Sequence, residues 1–151
     1  MRAFIALELP ADFADDVAAM ARRLSASLDG RFLDRSTYHL TLAFLGDIDD
    51  AEASRAMAAL DAACAGSTPL PLAPDGLGKF GRPADATLWL GVAPDPALLS
   101  LAERVREELA ARDVPFDPKP FHPHITLGRR VHIPKKPLPL LAFPLPAQAQ
   151  T

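Results

Sequence analysis

Two four-residue stretches of the chain repeat one pattern: residues 39–42 read His-Leu-Thr-Leu, and residues 124–127 read His-Ile-Thr-Leu. In an extended strand, side chains two positions apart lie on the same face. Each stretch therefore places an imidazole beside a hydroxyl on one face and turns its apolar residues to the other. Two imidazoles can act as a general acid and a general base near neutral pH, and hydroxyls can donate hydrogen bonds to phosphate oxygens. If both stretches face one cleft, they can cleave a phosphoester.

The composition limits the partners that we expect. The chain of 151 residues has a formal net charge of −3, which provides no global positive field for holding long nucleic acid. The single cysteine, Cys64, excludes an internal disulfide and a cysteine-rich zinc site. We expect neither a signal sequence at residues 1–10 nor a membrane-spanning segment. The interpretation is a cytoplasmic monomer without cofactor or metal, and with no membrane or protein partner implied.

Alternating apolar residues predict strands, and apolar residues spaced by three and four predict amphipathic helices. The predicted order is a strand at 3–9, a helix at 11–29, the first motif strand at 38–45, a helix at about 51–64 capped by Asp49 or Asp50, short strands near 70–72 and 77–80, a strand at 87–93, a helix opened by Asp95 and Pro96, and the second motif strand at 124–128. In the helix at 51–64, we expect Met57, Leu60 and Cys64 to face inward.

The order of strand, proline, helix, loop and motif strand occurs twice. Pro10 and Pro94 are 84 positions apart, and His39 and His124 are 85 positions apart. This spacing predicts an internal duplication, with two lobes related by an approximate two-fold axis and the motif strands at the centre. We predict a single domain over residues 1–151, with lobes built roughly on 1–66 and 67–130 and the chain crossing between them.

Residues 38–46 and 120–127, together with residues 2–10 and 87–92, resemble the 2H phosphoesterase superfamily. Within it they are most similar to the RNA 2′,3′-cyclic phosphodiesterases, also called 2′-5′ RNA ligases. The resemblance covers about residues 2–130. It implies a two-lobed α+β fold, with antiparallel sheets around a central cleft and helices outside. It also implies hydrolysis of RNA 2′,3′-cyclic phosphate ends to 2′-phosphates, and a reversible 2′-5′ RNA ligation.

The resemblance also implies roles for the four motif residues. His39 is then the acid that protonates the leaving 3′ oxygen, His124 is the base that activates water, and Thr41 and Thr126 hold the phosphate. The residues themselves form a symmetric pair and leave the order of acid and base open. After residue 130 the chain departs from the family pattern. Residues 131–151 are mostly Pro, Leu and Ala, so we expect the last strands to be missing and one lobe either to expose a sheet edge or to need a partner that covers it.

Five further residues are candidates for substrate contacts. Arg129 and Arg130 follow the second motif directly, and on a regular strand Arg130 shares the face of the motif hydroxyl while Arg129 faces away. The loop residue His122 lies two positions before the second motif and is a candidate substrate contact. Phe80 and Phe121 are candidates for stacking on an unpaired base.

Two other functions stay open on the sequence alone. A 2H phosphodiesterase that acts on a small cyclic nucleotide or an ADP-ribose cyclic phosphate would use the same four motif residues with a different pocket rim. A non-catalytic module that binds RNA ends would keep the fold, although binding alone does not require two titrating groups. Turnover of 2′,3′-cyclic AMP and of a short RNA with a cyclic end, with and without a chelator, distinguishes these functions.

Overall fold

The computed structural model describes residues 1–138 and 141–150. In these ranges the α-helices are α1 (Ala11–Ser25), α2 (Asp50–Cys64) and α3 (Pro96–Ala111), and the strands are β1 (Arg2–Glu8), β2 (Arg31–Phe32), β3 (His39–Asp47), β4 (Leu70–Leu72), β5 (Pro74–Arg82), β6 (Asp85–Val92), β7 (His124–Val131) and β8 (Ala147–Ala149). Every strand pairing in the described residues is antiparallel, which confirms the predicted α+β class with antiparallel sheets.

The described strands form three sheets, β1-β3, β2-β7-β6-β5 and β4-β8. In the first sheet, α1 separates β1 from the motif strand β3 along the chain. In the second sheet, α3 separates β6 from the motif strand β7. The unit of strand, helix and motif strand therefore occurs twice, as the spacing of the sequence predicts, and the two strands are antiparallel in both units. Contacts between β3 and β7 bring the two motif strands together.

The two motif strands also have corresponding registers. The residues that lie opposite each other are Glu8 and His39, Ala6 and Thr41, Gly91 and His124, and Trp89 and Thr126. Directly after the threonine in each strand the register shifts by one residue, so that Ala43 and Gly128 are paired with the next residues of the partner strands. An extra residue of this kind is a β-bulge, which reverses the alternation of side chains beyond it.

Side-chain caps begin two of the helices as predicted. Asp49, rather than Asp50, caps α2, and its carboxylate and that of Glu52 form a reciprocal pair of hydrogen bonds with backbone amides. Asp95 accepts a hydrogen bond from the amide of Ala97 at the start of α3, directly before Pro96. Helix α1 ends at Ser25, before the predicted end at residue 29.

The prediction that Met57 faces inward is wrong, since this side chain is 69% exposed. Helix α2 instead turns a face of alanines, Ala56, Ala59 and Ala63, into the core, while Leu60 and Cys64 are half-buried. Small side chains at spacings of three and four allow α2 to pack closely against α3. Apolar spacing alone favours the larger methionine, but the face of α2 that is buried in the structure carries the alanines.

The atypical tail contributes β8, which pairs with β4 so that Leu70 lies opposite Ala149. Residues 139, 140 and 151, which belong to the same predicted tail, lie outside the described residues. None of the helices in the described part of the chain is both long and apolar enough to cross a bilayer.

Candidate active site

The apolar residues of the two motifs fix the motif strands in the core. Their side chains are buried at Leu40, Leu42, Ile125 and Leu127. Because side chains alternate along a strand, the histidine and the threonine of each motif point to the other face. The buried leucines and isoleucine therefore determine where the imidazoles and hydroxyls lie.

One cleft, with a volume of about 310 Å³, brings the two motifs together. The residues that line it are His39, Thr41, His124 and Thr126 from the motifs, with Leu33, Thr37, Phe80, Thr87 and Arg129 around them. The structure thus places all four motif residues in a single space. Two imidazoles and several hydroxyls around one cleft can hold an anion and move protons at it.

Both imidazoles are held in the same way by the backbone. Nδ1 of His39 lies 2.7 Å from the carbonyl oxygen of Thr37, and Nδ1 of His124 lies 2.5 Å from the carbonyl oxygen of His122. A carbonyl oxygen only accepts hydrogen bonds, so each Nδ1 carries a proton and donates it. In the neutral ring this leaves Nε2 with its lone pair, and each histidine can accept or deliver a proton there.

The electrostatic environment favours the neutral form of His124. Burial lowers the pKa of this imidazole below its ordinary value, because a charged ring loses hydration. The hydrogen bond to the carbonyl of His122 opposes the shift, while positive charge on His122 and on His39 lowers the pKa further. A neutral imidazole with a free Nε2 is suited to the role of a base.

Aromatic rings pack against both histidines. The ring of Phe4 stacks on His39, with ring centres 4.6 Å apart and an angle of 19° between the planes. Phe80 meets His124 edge-on at 5.2 Å, and Trp89 lies 5.8 Å from the same imidazole. These contacts restrict rotation of the rings and hold Nε2 in a constant direction.

The structure corrects the orientation predicted for the two arginines. Arg129 lines the cleft. Arg130 is exposed, has a φ of 52° and does not line the cleft formed by the described residues. The register shift after Thr126 reverses the alternation, so the residue expected to face away faces inward. Arg129, with a fixed positive charge, is thus the arginine placed to contact an anion.

The remaining candidates lie around Phe80, which is 45% exposed and lines the cleft. His122 and Phe121 line a neighbouring groove instead, and the ring of His122 packs 4.7 Å from Trp89.

Sequence reasoning missed Thr37, whose carbonyl orients His39. Its position two residues before the motif histidine, matched by His122 before His124, is a signal that could have identified it.

Thr87 and Leu33 also line the cleft and were not predicted. They reach it from β6 and from the segment after β2, so only the assembled fold brings them there.

Among the described residues, no cluster of three or more His, Cys, Asp or Glu side chains is arranged to hold a metal ion.

Two corresponding lobes, each with a His-x-Thr strand facing one shared cleft, define the class of the 2H phosphoesterases. The resemblance in the sequence predicts the same class. The chain belongs to the 2′-5′ RNA ligase superfamily, whose family model matches residues 9–140.

Curated relatives and solved structures agree with this membership. The RNA 2′,3′-cyclic phosphodiesterase of Geobacillus stearothermophilus is 36% identical over 84% of this chain, which spans only 41% of that protein's length. The protein of the same name from Escherichia coli strain K12 is 34% identical over 85% of this chain and 71% of its own length. The crystal structure of E. coli LigT in apo form has a TM-score of 0.80 at 27% identity, covering 98% of this chain and 82% of that one.

Proposed function

We propose that this protein hydrolyses the 2′,3′-cyclic phosphate ends of RNA to 2′-phosphates, by acid–base catalysis with two histidines and without a metal, and that the same site carries out reversible 2′-5′ RNA ligation. The matched hydrogen bonds of His39 and His124, which leave both Nε2 atoms free beside one cleft, carry this proposal. The names of the curated relatives support it.

In this mechanism neutral His124 takes a proton from water as the water oxygen attacks phosphorus. The bond between phosphorus and O3′ breaks, and protonated His39 gives its proton to O3′. The product is a 2′-phosphate with a free 3′-hydroxyl. An in-line displacement needs the base and the acid on opposite sides of phosphorus, and the approximate two-fold relation of the lobes favours that arrangement. The pKa of His124, lowered by burial, supports its role as the base.

Three groups would hold the phosphate during the displacement. The hydroxyls of Thr41 and Thr126 donate hydrogen bonds to the non-bridging oxygens, and the guanidinium of Arg129 adds a positive charge from the edge of the cleft. Because both histidines and all three of these groups belong to one chain, the site needs no protein partner. We propose, as part of the same function, a cytoplasmic monomer that acts on RNA ends or on small cyclic nucleotides.

The test measures turnover of 2′,3′-cyclic AMP and of a short RNA with a 2′,3′-cyclic phosphate, with and without a chelator. We expect a 2′-phosphate product from both substrates and no effect of the chelator. The variants His39→Ala and His124→Ala should each lose about 100-fold or more in rate, the magnitude typical of acid–base catalysis. His132→Ala is the matched control, because His132 is exposed and lies outside the cleft.

Each other outcome has a definite meaning. If His39→Ala or His124→Ala keeps most of the rate while folded by circular dichroism, the two-histidine mechanism is wrong. Turnover of the cyclic mononucleotide but not of RNA would assign the site to a small cyclic nucleotide. RNA-end binding without turnover of either substrate would make the protein a binding module.

A further inference from the structure

A second groove adjoins the cleft between β3 and the loop that leads into β7. Thr41, Phe80 and His124 line both spaces, and Phe44, Phe121 and His122 line the second groove alone. A molecule bound in the second groove would therefore reach the reacting atoms in the cleft directly.

The two motif histidines differ in their relation to this groove. His124 lines both the cleft and the second groove. His39 lines the cleft and, among the described residues, is not part of the second groove. In the proposed mechanism the attacking oxygen approaches phosphorus from the side of His124. In hydrolysis that oxygen belongs to water, and in ligation it belongs to the 5′-hydroxyl of a second RNA end. The nucleoside that carries this hydroxyl needs space on the His124 side.

The walls of the second groove have the chemistry that a nucleoside requires. Phe44 and Phe80 are 38% and 45% exposed, and aromatic faces stack on bases of any sequence. Lys119 and Asp117 also line the groove, and the Asp117 carboxylate accepts a hydrogen bond from the amide of Lys119. Aromatic surface with a cation and a carboxylate suits a base and a ribose with hydroxyls better than it suits a second phosphate.

The groove wall is also held rigidly. The guanidinium of Arg106 donates hydrogen bonds to the carbonyl oxygens of Leu42, at 3.3 Å, and Lys119, at 2.7 Å. These bonds tie α3 to the motif strand β3 and to the loop that precedes β7. The guanidinium of Arg2 lies 5.5 Å from the centre of the Phe44 ring and supports it.

The duplication gives Phe44 a counterpart in the other lobe. Phe44 and Arg129 are each the third residue after a motif threonine, and each follows the same one-residue register shift. In β7 this geometry directs an arginine into the cleft, and in β3 it directs an exposed aromatic ring into the second groove. The same register shift thus orients a charged group, Arg129, in one lobe and an aromatic ring, Phe44, in the other.

We propose that the second groove binds the nucleoside that carries the 5′-hydroxyl in 2′-5′ ligation and in its reversal, an inference that rests on the proposed function. In ligation, the 5′ oxygen forms a bond to phosphorus and its proton passes to His124. The bond between phosphorus and O3′ breaks, and O3′ takes a proton from His39. The reverse reaction cleaves the 2′-5′ linkage and restores the cyclic phosphate and the 5′-hydroxyl, so no other reactant is needed.

The test compares a substrate that has the second nucleoside with one that lacks it. The ratio of kcat/KM for cleavage of the 2′-5′-linked dinucleotide of adenosine to kcat/KM for hydrolysis of 2′,3′-cyclic AMP is measured for wild type and Phe44→Ala. We expect this ratio to fall roughly 10-fold in Phe44→Ala, in line with the loss of one stacked base. Phe44→Tyr, which retains the ring, should restore the ratio. Phe143→Ala, at an aromatic residue that is 43% exposed in the tail, is the control and should keep the wild-type ratio.

Two results would overturn the proposal. An unchanged ratio in Phe44→Ala rejects the proposed nucleoside site. The ratio stays unchanged if neither activity falls. It also stays unchanged if both activities fall together, as they would if the groove held the base of the cyclic nucleotide. Wild-type protein that hydrolyses cyclic AMP but neither cleaves nor forms 2′-5′ linkages also rejects it, and leaves the hydrolytic function intact. Failure of the wild type on cyclic AMP and on cyclic-ended RNA would instead reject the proposed function.

Discussion

Arg129 and Arg130 are consecutive residues of β7, yet Arg129 lines the cleft and Arg130 lies outside it with a positive φ. Neighbouring residues of a strand face opposite sides, and the register of β7 against β6 decides which of the two arginines faces the cleft. This register shifts once between Thr126 and Gly128 and again between Gly128 and Val131. Each shift adds one residue to β7 and reverses the side-chain alternation. The pair therefore provides a cation in the site and a matched cation beside it.

Arg129→Gln should raise KM for 2′,3′-cyclic AMP by about 10-fold or more, because a hydrogen bond to a charged group contributes about 1.5–3 kcal/mol. Arg130→Gln removes the same charge one residue away and should leave KM within about twofold. Steady-state kinetics of the two variants, purified in parallel, make the comparison. Equal effects would mean that the arginines act through the overall field of the protein and not through contact with the phosphate.

The pH dependence should report the environment of His124. The base must be neutral, and burial lowers its pKa, so the ascending limb of kcat/KM should have its midpoint below the ordinary histidine value of about 6.5. Positive charge on His122 also lowers this pKa, so His122→Gln should move the midpoint to higher pH. A pH profile of kcat/KM for both proteins measures the direction. Movement to lower pH in His122→Gln would contradict this account of the site.

The two motif hydroxyls should matter to similar degrees. Thr41→Val and Thr126→Val each keep the size and the strand preference of the side chain but remove the donor to a phosphate oxygen. We expect each to lower kcat/KM for 2′,3′-cyclic AMP by about 10-fold or more, on the same scale as other hydrogen bonds to charged groups. Circular dichroism should show an unchanged fold. A variant that retains wild-type kcat/KM would remove that threonine from the phosphate site.

Gly78→Ala should reduce both stability and activity. A Cβ atom at Gly78 would lie 2.2 Å from the ring of Trp89, which itself packs 4.7 Å from His122 beside the cleft. Overpacking of this kind typically costs about 1–3 kcal/mol, so thermal denaturation should show a lower Tm. Met57→Ala is the control, because an exposed side chain contributes little to stability. An unchanged Tm in Gly78→Ala would mean that β5 can move away from Trp89 without cost.

Local patterns of the sequence were enough to predict the motif strands, the positions where α2 and α3 begin, and the family. Buried Leu40 and Ile125 follow from simple alternation, and the start of α3 at Asp95 follows from a side-chain cap. For α2 the sequence narrows the cap to Asp49 or Asp50, and the structure selects Asp49. The repeated order of elements likewise predicts two corresponding units, whereas the antiparallel pairing within each unit was implied by the family resemblance and is observed in the structure.

The features that the sequence did not reveal depend on pairing between distant segments. The inward position of Arg129 depends on the extra residue of β7 between Thr126 and Gly128, and the exposure of Met57 depends on which face of α2 packs against the core. Phe44 and Phe121 line one groove because β3 and the loop before β7 meet in the folded chain. Alternation, spacing and capping act over a few residues and can be read along the chain. Register and the distance between elements are set by hydrogen bonds and packing across the fold, and only the tertiary structure determines them.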